Sequence, residues 1–150
     1  MITKFTEYIV ESRESIDELE VLTPDELGKL LIAEVYKSYP NIKYIKDIIA
    51  VGCPIDIRDS GGRTALHWAA FDDNFELVEL LVSRGADVNA VDEDGYTALY
   101  LATECLDVDL LKYLISNGAN INAKTDDGTT AWDIADDDVM EKVPELNPDK

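Results

Sequence analysis

Two cysteines, one histidine and thirteen basic residues are a small allotment for a chain of 150. Cys53 and Cys105 lie far apart with no Cys-x-x-Cys partner, so the sequence offers neither a disulfide framework nor a zinc site. Free thiols in a reducing compartment are expected. No apolar run approaches a membrane span, and the opening "MITKFTEYIVESRESIDE" carries acids where a secretory signal has its apolar core. A cytoplasmic protein with no membrane partner is expected. Glycine-rich phosphate loops, GxSxG elbows and HExxH motifs are also missing, so neither a cofactor nor enzyme activity is anticipated.

The deficit of bases is the strongest compositional signal. Against 13 Lys and Arg stand 32 Asp and Glu, a net charge of -19. Such a surface repels phosphate backbones, which disfavours direct nucleic-acid binding, and attracts basic proteins. The charge is uneven: residues 1–58 carry 11 acids and 7 bases, and residues 59–150 carry 21 acids and 6 bases. Apolar residues at 46% nevertheless exclude a fully disordered chain. A single domain of this length buries roughly 70% of its unfolded surface.

What the sequence does contain is a period. Gly62, Gly95 and Gly128 are spaced by 33 residues, as are Thr64, Thr97 and Thr130, then Ala69, Ala102 and Ala135, then Gly52, Gly85 and Gly118. Four columns in one register imply stacked units, each of which would expose an apolar face if it stood alone. The segments "DSGG", "DEDG" and "TDDG" read as turns at the tips between units. The threonines then fall where a helix begins, with His67, Tyr100 and Asp133 three residues on in the slot facing back to the cap. Small alanines allow close helix approach, and Leu66, Leu99 and Trp132 fill the space between units. "FELVELLVSRG" and "VDLLKYLISNG" have helical apolar spacing and end on a glycine, giving a second helix.

With these residues in view, "DSGGRTALHWAAFDDNFELVELLVSRGADVNA" and "DEDGYTALYLATECLDVDLLKYLISNGANINA" resemble ankyrin repeats. The resemblance rests on the GxTxLH-type start, the LLxxGAxxNA-type end and the 33-residue period. It implies an all-α solenoid of stacked helix-turn-helix units joined by short β-turn loops. Alanine stands at Ala65, Ala98 and Ala131 where the family commonly has proline, a change of small cost because alanine is a good helix former.

The expected organisation is one domain over residues 1–142: a helical cap at 1–23, a degenerate repeat at 24–58, clear repeats at 59–91 and 92–124, and a truncated capping repeat at 125–142. Thr23, Pro24 and Glu26 form a strong helix-start signal, and Asn41 and Gly52 align with Asn74 and Gly85. Residues 1–22 read either as a cover for the first unit or as a separate partner-binding helix. Residues 143–150, with two prolines and no periodicity, read as a flexible tail.

His67 raises the question of catalysis. A catalytic histidine needs an orienting carboxylate and a nucleophile or substrate pocket, and none is apparent. Tyr100 and Asp133 in the equivalent slots favour a structural role, and the resemblance implies hydrogen bonds to neighbouring loop backbone. An EF-hand loop placed on Gly95 would put Ala90 and Leu101 at ligand positions, so no dedicated metal site is expected.

The resemblance also implies where a partner protein is held: along a concave surface of loop tips and first helices. Carried onto this sequence, that surface comprises Arg58, Ser60, Arg63, Phe71 and Asp72 from one clear copy. Val91, Glu93, Asp94, Tyr96, Glu104 and Cys105 follow from the next, and Lys124, Asp126, Asp127 and Thr129 from the last. Phe71 and Tyr96 are the candidate anchors, and packing against neighbouring units is the competing role for both rings. The expected function is a small acidic inhibitor or neutralising, immunity-type protein that covers a basic surface of its partner. Nucleic-acid mimicry and a general adaptor or scaffold role are the alternatives, and a monomer is the expected state.

Overall fold

The computed structural model describes residues 19–147. Among these residues there are eight α-helices, one 3-10 turn and no strand. In chain order the helices are α1 (Pro24–Val35), α2 (Ile42–Ala50), α3 (Ala65–Phe71), α4 (Phe75–Ser83), α5 (Ala98–Cys105), α6 (Val108–Ser116), α7 (Ala131–Ile134) and α8 (Asp137–Lys142), followed by the turn Pro144–Leu146.

The first three units each pack their two helices against each other, and the units stack through α1, α3, α5 and α7 in succession. The side chains at those contacts explain the order. Ala65, Ala69, Ala70, Ala98 and Ala102 are buried, so the helix backbones approach closely, while Leu66, Leu77, Leu81, Leu99, Leu110 and Leu114 fill the layers between. Small residues on first helices and leucines behind them are the physical content of the repeat.

Local capping sets where every helix begins. The Thr23 hydroxyl accepts from the Glu26 amide, and the Glu26 carboxylate accepts from the Thr23 amide at 2.9 Å. Asn41, Asn74 and Asp107, spaced like the other columns, accept amides of Tyr44, Leu77 and Leu110 at the starts of α2, α4 and α6. Just before the last two caps, Asp73 (φ 54°) and Leu106 (φ 61°) take the left-handed backbone conformation that turns the chain between first and second helix.

The tips are built as a ladder. Asp59 Oδ1 accepts the amides of Gly61 and Arg63, Asp92 Oδ1 accepts those of Asp94 and Tyr96, and Thr125 Oγ1 accepts that of Thr129. Successive tips then bond to each other, Glu93 N–H to Gly61 O at 3.1 Å and Asp126 N–H to Asp94 O at 3.0 Å. Gly95 is needed there: its φ is 81°, and a Cβ would lie 3.0 Å from the Asp126 nitrogen.

The far end differs from the expected tail. Val143 and Leu146 are fully buried, and Pro144–Leu146 forms the 3-10 turn that folds them back beside Val139. The packed structure therefore continues through Leu146. Two apolar residues at irregular spacing close the end of the core, each burial contributing about 1.5–3 kcal/mol. The first helix of the last unit is also cut to four residues, because Asp136 caps a new helix by accepting the Val139 amide. At the other end, Leu19 is buried in the core. The cap expected at 1–23 lies for its larger part outside the described residues.

Candidate functional site

His67 is buried and held at both ring nitrogens. Thr64 N–H donates to Nδ1 at 3.1 Å, so Nδ1 carries no proton, and the Nε2–H must donate to the main-chain oxygen of Tyr96 at 3.0 Å. Burial lowers its pKa below the ordinary imidazole value. The expected bond to neighbouring loop backbone is present. Thr64 and His67 form the expected capping box, with the Thr64 hydroxyl also 2.9 Å from Nδ1, and Thr97 and Thr130 accept from the Tyr100 and Asp133 amides. In the same slot Asp133 reaches back to the Thr130 amide, while the Tyr100 ring packs on Tyr96 with centroids 4.9 Å apart.

Beside the tips lies a cluster of rings and charges. Trp68 donates its indole N–H to Asp59 Oδ2 at 2.9 Å, packs on Tyr36 with centroids 4.3 Å apart, and meets Phe71 edge-on at 6.0 Å. The Arg63 guanidinium carbon stands 4.8 Å from the Trp68 ring centroid, and Arg63 Nε donates to Asp92 Oδ2 at 3.0 Å. Asp92 is buried, its two oxygens divided between its own turn and this guanidinium. Burial works against the Asp59 carboxylate, but the bonds from Trp68 and from the Arg63 and Gly61 amides hold its pKa below the usual value. Tyr36 and Phe71 remain 59% and 47% exposed, an aromatic pair open to solvent next to the tips. Tyr36, Trp68, Arg63, Glu93 and Asp94 border one hollow of about 260 Å³.

The residues singled out from sequence fall into three groups. Ser60, Phe71, Asp72, Glu93, Asp94, Glu104, Lys124, Asp126 and Asp127 are exposed on tips and at the C-terminal ends of first helices. Others are engaged internally: Arg58 Nη1 donates to Gly62 O at 2.8 Å and to Val91 O, and Arg63 is paired with Asp92. Val91 is exposed at its side chain, Tyr96 is half-buried against Tyr100, and the half-buried Thr129 donates its amide to Thr125. The Cys105 thiol donates to Phe71 O, with a pKa raised by burial and by the carboxylates around it. Burial likewise pushes the Cys53 thiol up to about 11, so neither cysteine is an activated nucleophile.

Tyr36 and Trp68 were not anticipated as surface residues. Trp68 occupies the column of Leu101, a buried position, and only its partners bring it to the rim. Among the described residues no group of three or more His, Cys, Asp or Glu could hold a metal ion, and no helix is long and apolar enough to cross a membrane.

Stacked helix pairs with hydrogen-bonded tips on one side define a helical-repeat scaffold. Residues 30–125 match the ankyrin repeat family in three copies, and the chain belongs to that family. No curated protein matches the chain. Ankyrin repeats are protein–protein interaction modules and are typically non-enzymatic, so binding another protein is the general function of this chain.

Proposed function

We propose that this chain is a small acidic stoichiometric inhibitor, of the neutralising or immunity type, that covers a basic surface of its partner protein. The observation that carries the reading is one of composition on one side of the stack. Exposed Phe71 and Tyr36 stand among Asp72, Glu93, Asp94 and Glu104, and no salt bridge among the described residues neutralises any of these four acids. Aromatics supply contact energy, and unpaired carboxylates speed encounter with a cationic partner and reject anionic ones. A cytoplasmic setting and a monomeric chain fit two free thiols and a closed C-terminal end.

Capture of the partner from native cells on immobilised chain tests this reading. A basic protein should be recovered in one-to-one ratio, its binding should weaken steeply with salt, and its own activity should fall as the complex forms. Retained partner activity in a saturated complex would leave an adaptor. Nucleic-acid mimicry makes a further demand: Glu93→Gln, Asp94→Asn, Asp126→Asn and Asp127→Asn together must abolish competition with the partner's DNA or RNA. Recovery of an acidic partner would overturn the proposal.

A further inference from the structure

Arg63, Trp68 and Asp92 form a complete set: a guanidinium 4.8 Å from an indole centroid, with a carboxylate 3.0 Å from its Nε. Immediately beside it, the same hollow has a second ring, Tyr36, and two further carboxylates, Glu93 and Asp94. Among the described residues neither Glu93 nor Asp94 takes part in an ion pair. The ring and acid components are thus present twice, and among the described residues a cation is supplied to only one of them.

We propose that this hollow receives an arginine side chain of the partner protein, stacked on Tyr36 and forked onto Glu93 and Asp94. The inference rests on the reading of a basic partner given above and names the residue type it presents. Arginine suits the hollow better than lysine because its planar head stacks on a ring and offers paired donors to carboxylates, and because it is less strongly hydrated. The volume of about 260 Å³ admits one long side chain. Arg63 does not close the site to a second cation, since its charge faces Asp92 and Asp59 adds a further acid to the same walls. Electrostatic complementarity therefore still favours a cation, while the Tyr36 ring selects its shape.

The test uses the full chain with Trp132→Phe, leaving Trp68 as the only indole, so that its emission reports on the hollow itself. Short peptides carrying several arginines are titrated beside counterparts carrying lysine, citrulline or glutamate at those positions. The arginine peptide should change Trp68 emission and bind about threefold to tenfold tighter than the lysine one, with citrulline and glutamate far weaker. Tyr36→Ala and the more conservative Tyr36→Leu should remove the arginine preference, and Glu93→Gln with Asp94→Asn should weaken both basic peptides. Asp126→Asn with Asp127→Asn should leave the ratio unchanged. Circular dichroism of each variant confirms that it is folded. Equal binding of arginine and lysine peptides, insensitive to Tyr36, would overturn this inference while leaving a basic partner in place. Failure of both basic peptides to bind, or preference for the glutamate peptide, would overturn both.

Discussion

His67 Nε2 lies 3.0 Å from the main-chain oxygen of Tyr96, 29 residues further along the chain. One side chain thereby ties the start of α3 to the next tip, while its other nitrogen accepts the Thr64 amide at 3.1 Å. The only histidine is a fastener between repeats, which answers the question its rarity raises.

His67→Ala should destabilise the fold by about 1–3 kcal/mol, because the buried Thr64 amide loses its partner, while the half-buried Tyr96 carbonyl keeps the Asp92 amide. The check is a lowered urea midpoint with unchanged slope. The wild-type protein should also lose stability on acidification in a way the variant does not. With its folded pKa lowered by burial, neutral His67 contributes in full above the ordinary histidine value of about 6.5. As pH falls, the unfolded chain protonates first, and the contribution disappears as pH passes through the lower folded value. The difference between wild type and variant should narrow over that interval.

Asp92→Asn keeps one oxygen for its own turn but places an amide group against the Arg63 guanidinium. Arg63 is 24% exposed at its side chain, so the cost should be about 2–3 kcal/mol, below the roughly 3–5 expected for breaking a fully buried pair. Thermal unfolding measures it. A double variant with Arg63→Met should recover part of the loss, which identifies the pair as its source.

Leu106 holds a left-handed backbone with its side chain 47% exposed, so it has the cost of that conformation without full burial in return. Leu106→Asn should stabilise the fold by about 0.5–1 kcal/mol, since asparagine tolerates the region better. A raised urea midpoint is the expected outcome, and a lowered one would show that the leucine contacts matter more.

Leu146→Ala should cost about 2–4 kcal/mol, comparable with a leucine from the middle of the stack. Urea unfolding of this variant beside Leu110→Ala makes the comparison directly. An unaffected midpoint would contradict the burial of Leu146.

What was legible in the sequence follows from how each feature is encoded. The caps at Thr23, Thr97 and Thr130 depend on offsets of a few residues, and the tip glycines on a conformation other residues rarely adopt, so periodic sequence carries them directly. The burial of Val143 and Leu146 has no such signature, because two isolated residues enter the core across a proline-containing turn. Trp68 was hidden for a different reason: its column is a core column, and its exposure to the rim depends on Tyr36, which belongs to the unit whose first half has lost the pattern. Of the two candidate anchors, Phe71 is open to solvent, whereas Tyr96 is half-buried against Tyr100.

The folding back of Val143 and Leu146 sets a rule for anyone attaching something to this protein. A fusion partner or label joined directly after Lys142 would cut away the residues that cover the last unit and leave Val139 facing water. One joined beyond Asn147 would leave that cover intact. The chain is therefore divisible at its final turn only at the expense of the whole stack, since in a solenoid every unit leans on the next.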